Sequence, residues 1–164
     1  MNAGKFDRGW RIPAVDCCGP RQIEVCLVLK TTTSIQQRLQ SLRDELLQLH
    51  KALIDSERVT YEKTIGAIQS PNHFLQLLTR DPWFAWLQPI SQLIVLMDEA
   101  LDEKEPLTTE AVDAMVRQTQ KVLIVSEEGD GLSQHYFDAL QRDPNVVLAH
   151  AAVTKILRPH KGQV

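Results

Sequence analysis

The stretch SIQQRLQSLRDELLQLHKAL, residues 34–53, decides the fold class. Its apolar side chains recur at alternating gaps of four and three positions: Ile35, Leu39, Leu42, Leu46, Leu49 and Leu53. This heptad spacing predicts a helix that packs along other helices. Ser34 is a favourable N-cap, and the helix is expected to run to about Ile68.

Proline and glycine positions divide the rest of the chain into further helices. Ser70-Pro71 predicts the start of a short helix, and Asp81-Pro82 predicts the start of a long one that continues to about Leu101. Pro89 lies inside that long helix and is expected to kink it near residues 85–86. The spacing predicts three more helices, over about 108–125, 132–140 and 143–158.

These elements together predict an all-α fold, specifically an antiparallel helical bundle of four main helices plus two short helices. A chain of 164 residues suits one domain, which we place at residues 31–160. The heptad spacing of the apolar residues does not distinguish helix contacts within one chain from contacts between copies of it.

Residues 1–30 differ from the remainder and are expected to be irregular. They combine several glycines and prolines with isolated aromatic residues, and they contain all three cysteines of the chain. Two explanations stay open. The segment is either a disordered tail, or an extension produced by placing the gene start upstream of an alternative initiator at Val28 or Leu29.

Composition limits the classes of function. The net charge is −3, so no broad basic surface for nucleic acid is expected. No apolar run approaches the roughly 20 residues of a membrane span, and no signal peptide is recognisable. The body of the chain has no cysteine. We therefore expect a soluble, cytoplasmic protein that acts without nucleic acid or membrane partners.

Sequence motifs of the common enzyme and cofactor families are missing. The cysteine spacing does not match a zinc site, and the sequence contains no P-loop, dinucleotide fingerprint, nucleophile elbow or His-Glu-x-x-His pattern. We therefore predict no bound cofactor and lean against an enzyme. His150, on an apolar helix face, is expected to be a packed histidine rather than a ligand.

The most distinctive segment is DPWFAWL, residues 81–87. On a helix, Trp83, Phe84 and Trp86 point in three directions, so one seam cannot bury all three rings. At least one ring should contact a second element, a partner or a ligand. The sequence predicts an aromatic interface at these residues, because tryptophan often anchors protein contacts. Two alternatives are that the short helices cover the rings, or that the tryptophans line an apolar pocket at Pro89.

This segment and the phrase LHKAL at 49–53 resemble an uncharacterised bacterial family of all-helical proteins with a DPWFAWL-type signature. The resemblance covers residues 34–150 and excludes the N-terminal part. It implies a bacterial helical domain, and it implies no activity.

A metal site is the second candidate. His50 and Glu57 are seven residues apart on one predicted helix face, and His135 lies on another helix. Histidine and carboxylate side chains from facing helices can hold a metal in a bundle, although the Glu-x-x-His motif of di-iron bundles is missing. The alternative is that Glu57 is partly buried and satisfied by His50 or Tyr61.

Two functions follow as expectations. The first is a bundle that acts through protein–protein contact or homo-oligomerisation. The alternative is a metal- or cofactor-binding bundle with a redox or sensory role, centred on His50, Glu57 and His135.

Overall fold

The computed structural model describes residues 20–129 and 131–158. This range contains six α-helices and one 3-10 helix and no β-strand, which confirms the all-α prediction. The helices are α1 (Pro20–Thr64), α2 (Pro71–Arg80), the 3-10 helix (Pro82–Leu87), α3 (Gln88–Asp102), α4 (Thr109–Val122), α5 (Leu132–Arg142) and α6 (Pro144–Leu157).

Side-chain caps fix where several helices begin. Ser70 accepts a hydrogen bond from the backbone of His73, and Thr108 accepts one from the backbone of Ala111. Asp81 and Asp143 cap the 3-10 helix and α6 in the same way. Each cap satisfies a backbone N–H that has no partner within its helix. The short polar residues before these helices therefore set the boundaries that the sequence predicted.

The first helix is longer than the sequence predicted at its N-terminal end. It begins at Pro20, so residues 20–30 are helical and not irregular. Proline suits the first helical position, and no glycine or further proline follows until Gly66, where the backbone adopts φ +149°. Residues 1–19 lie outside the described range, so the two explanations for that part of the chain stay predictions.

The predicted long helix with a kink at Pro89 is replaced by two elements. Residues 82–87 form a 3-10 helix, and α3 starts at Gln88 with Pro89 in its first turn. A proline inside an α-helix would remove one hydrogen bond and clash with the preceding turn. At the start of a helix its missing N–H has no cost, so the chain begins a new helix there.

The core lies along α1, which contacts the 3-10 helix and α3, α4, α5 and α6. Five leucines of the predicted seam are fully buried: Leu39, Leu42, Leu46, Leu49 and Leu53. Burying each such side chain contributes about 1.5–3 kcal/mol, so this seam is the main source of packing energy that the sequence reveals.

Side-chain hydrogen bonds show how α1 and α3 run. Arg43 bonds to Asp98, and His50 bonds to Ser91. The residue numbers rise along α1 while those of their partners fall along α3, so these two helices have opposite directions. The antiparallel arrangement of the whole bundle stays a prediction.

Candidate functional site

The aromatic segment is packed inside the chain. Phe84 has no exposed surface; its ring lies 5.5 Å from that of Tyr61 on α1 and 5.9 Å from that of Phe74 on α2. Trp83 is half-buried and meets Tyr61 edge-on at 5.8 Å. Aromatic pairs at these separations stabilise a core beyond the area that they bury.

Trp86 is covered from the opposite side by α5. It is 7% exposed, and its ring stacks on that of His135 with centroids 5.4 Å apart and planes 16° apart. Its buried indole N–H has no hydrogen-bond acceptor among the described residues. Phe84 and Trp86 are therefore buried within the described part of the chain, and the interface at Trp83, Phe84 and Trp86 stays a prediction. The ring of Phe84 contacts α2 and that of Trp86 contacts α5, whereas Trp83 contacts α1.

Glu57 is the centre of a buried polar cluster. It is 3% exposed, and its Oε2 accepts a hydrogen bond of 3.0 Å from the indole Nε1 of Trp83. Its Oε1 accepts from Nη2 of Arg142, whose Nε donates to Ser56 Oγ at 3.2 Å. Burial lowers the pKa of Arg142, and the nearby Asp143 opposes that shift. The cluster ties α5 and the 3-10 helix to α1.

His50 has a separate partner. Its Nε2 lies 2.9 Å from Ser91 Oγ on α3. Burial lowers the pKa of His50, and a hydrogen bond from the imidazole to the backbone of Leu87 partly opposes that shift. The imidazole is thus neutral near pH 7 and acts as a bridge between α1 and α3.

The three predicted metal ligands therefore have no contact partner in common. His50 bonds to Ser91, Glu57 bonds to Arg142 and Trp83, and His135 stacks on Trp86. Within the part of the chain that the structure describes, no group of three or more His, Cys, Asp or Glu side chains is placed to hold a metal ion. These residues give the metal prediction no support.

A second buried histidine joins α5 to α6. The hydroxyl of Tyr136, which is fully buried, lies 2.5 Å from Nδ1 of His150, and Nε2 of His150 lies 3.4 Å from Thr154 Oγ1. Burial raises the pKa of Tyr136 above its usual range and lowers that of His150. Both groups are neutral near pH 7, so the pair is a hydrogen-bonded packing contact, as expected for His150.

Two surface grooves accompany α1, and neither is lined by a tryptophan. The larger, of about 720 Å³, lies against α3 and has mainly polar walls that include Arg43 and Asp98. The smaller, of about 270 Å³, lies against α6 and includes Lys51, Asp55 and Asp143. Open polar grooves of this kind differ from the largely apolar, enclosed pockets that hold small ligands.

The outer face of α6 is the unusual surface of the described chain. Leu148 is 71% exposed, Val147 is 44% exposed, and Ala151 is exposed one turn further on. Lys155 is the one charged residue of this helix. Its apolar residues surround the helix axis: Val146, Val147, Leu148, Ala149, Ala151, Ala152, Val153, Ile156 and Leu157.

The sequence reasoning missed this face although a signal was present. The opposite side of the helix, with Val146, Val153 and Leu157, faces the core. A surface helix of a globular protein normally carries charged residues on the side opposite the core, and a helix that is apolar on all sides is normally buried. The absence of charge between Asp143 and Lys155 was therefore the available clue.

No protein-family model matches the sequence, and neither does a curated protein or a solved structure. The resemblance of residues 34–150 to a bacterial helical family therefore stays a prediction. Among the described residues, no helix combines the length and the apolar character that crossing a membrane requires.

Proposed function

We propose that this chain is a bacterial, cytoplasmic, non-enzymatic helical module that works by binding protein, and that the outer face of α6 is its contact surface. The observation that carries the proposal is the exposure of Val147 and Leu148 on a helix that is apolar on all sides. Covering these residues with protein would remove apolar surface from water, and that is the main driving force of association.

The scale of the gain supports this assignment. Fully burying a leucine or valine side chain contributes about 1.5–3 kcal/mol. Leu148 is the most exposed of the large apolar side chains in the described residues, and Val147 lies next to it. Val95 and Leu96 of α3 are also exposed, but Gln92 and Glu99 lie beside them on the outer side of that helix. Exposed apolar residues with polar and charged neighbours are ordinary on protein surfaces.

Site-specific photo-crosslinking tests the proposal in cells that produce the protein. A photoreactive residue would replace Leu148 in one variant and Val95 in a matched control, because both side chains are exposed and both lie on helices. We expect irradiation to give a protein adduct through position 148 and none through position 95, with the attached peptide identified by mass spectrometry. Equal yields at the two positions would contradict a contact surface on α6.

A further inference from the structure

The outer face of α6 has a charge pattern as well as an apolar centre. At the N-terminal end of the helix, Asp143 and Asp55 line the same small groove between α6 and α1, where they outnumber the one basic residue, Lys51. At the C-terminal end, Lys155 and Arg158 are exposed. Asp143 and Lys155 therefore lie at opposite ends of the apolar patch, separated by about 18 Å for twelve residues of helix.

Helical geometry places the relevant side chains in one row. Positions 144, 148, 151 and 155 follow spacings of four and three, so they share one side of α6. That side is opposite the buried residues Val146, Val153 and Leu157. The row thus contains a large apolar residue, Leu148, next to a small one, Ala151, with Lys155 beyond them.

We infer that the occupant of this face is a second copy of the same chain, with the two α6 helices packed antiparallel about a two-fold axis. This inference rests on the proposed contact function and names its partner. With the axis midway between Leu148 and Ala151, each Leu148 opposes Ala151 of the second copy. A large side chain then meets a small one twice, which is how packed helices interlock.

The same pairing brings opposite charges together. Positions 144 and 155 are equally far from the axis, so Lys155 of each copy reaches the N-terminal end of the other α6. Asp55 and Asp143 lie at that end, on the two walls of the small groove. In a two-fold interface each contact occurs twice, so the surface must be complementary to itself. The acidic end and the basic end of this face are complementary in that sense.

The size of the surface predicts a weak dimer. A helix of fourteen residues is about 21 Å long and about 10 Å wide. The area of one face of such a helix is smaller than the roughly 800 Å² that each partner buries in a standard interface. The flanking groove residues of α1 add to it. Association is therefore expected to depend on protein concentration and to be partly weakened by salt.

Sedimentation equilibrium of the full chain over a dilution series tests the arrangement. Leu148→Glu should raise the dimer dissociation constant roughly tenfold or more, while Val95→Glu should leave it unchanged. The double variant Lys155→Glu/Arg158→Glu should raise it roughly fivefold, because several rim charge pairs are lost and become repulsive. Adding Asp55→Lys to that double variant should restore most of the affinity. Circular dichroism checks that each variant keeps its helicity.

The outcomes separate the two levels of the proposal. Loss of the dimer in Leu148→Glu without any effect of the charge reversals would keep the contact surface and overturn the antiparallel pairing. A wild-type chain that stays monomeric at millimolar concentration would overturn the second copy as the partner, whereas the contact function itself depends on the crosslink at position 148.

Discussion

The buried pair of Glu57 and Arg142 gives a quantitative test of the packing. Glu57 is nearly fully buried, whereas the side chain of Arg142 is 34% exposed. Removing one partner of a buried ion pair usually costs about 3–5 kcal/mol, because the remaining charge has no solvent. In Arg142→Met the remaining charge is the buried carboxylate, so we expect a loss of about 3–5 kcal/mol in the free energy of unfolding.

Replacing Glu57 instead of Arg142 should lower the free energy of unfolding by less. In Glu57→Gln the amide oxygen can still accept from Trp83, and Arg142 can turn toward water. We expect a loss of about 2–3 kcal/mol for this variant. The double variant should be more stable than the sum of the two losses by roughly 2 kcal/mol, since neither charge is then left alone.

Urea unfolding followed by circular dichroism measures all four proteins of this cycle. The expected order of stability is wild type, then Glu57→Gln, then Arg142→Met. If the loss in the double variant equals the sum of the two single losses within about 0.5 kcal/mol, the two side chains are not coupled. A larger loss for Glu57→Gln than for Arg142→Met would refute the reasoning from solvent exposure.

Three further predictions concern the core, a helix start and pH. Phe84→Ala should lower the free energy of unfolding by about 3–5 kcal/mol, while Leu75→Ala on the exposed side of α2 should change it by less than about 0.5 kcal/mol, both measured by urea unfolding. Pro89→Ala should lower the melting temperature slightly, because proline restricts the unfolded chain at a compatible position; a rise of several degrees would instead indicate a strained helix interior. Burial holds the folded-state pKa of His50 and His150 below the ordinary value of 6.5, so their contribution to stability is complete above that pH and is lost as pH falls below it. Replacing both histidines with glutamine should flatten that part of the stability–pH curve, and an unchanged slope would contradict the assignment.

The fold was predictable where one local rule acted alone. The heptad leucines of α1 identified the buried seam, because residues spaced by three and four must share a helix face. The polar residues Ser70, Thr108 and Asp143 located three helix starts through their caps. Pro89 was misjudged because a proline can either kink a helix or begin one, and packing around the 3-10 helix decides between the two.

The site was less predictable because it depends on contacts between distant parts of the chain. The sequence suggested His50 or Tyr61 as the polar partner of Glu57, which was wrong: the carboxylate accepts from Trp83 and from Arg142, which is 85 positions away. The covering of Trp86 by His135 likewise depends on where α5 packs. The outer face of α6 differs from these contacts, because its lack of charged residues was already visible in the sequence. Only the structure shows which of its apolar residues are exposed.

The pairing of two copies through the outer face of α6 is tested most directly by measuring the mass of the protein in solution as a function of concentration. Light scattering on the eluting peak would compare the wild type with Leu148→Glu and with the control Val95→Glu. We predict that the average mass of the wild type and of Val95→Glu rises with concentration, while Leu148→Glu stays at the monomer mass of 18.6 kDa. A Leu148→Glu chain that associates as strongly as the wild type would contradict the account.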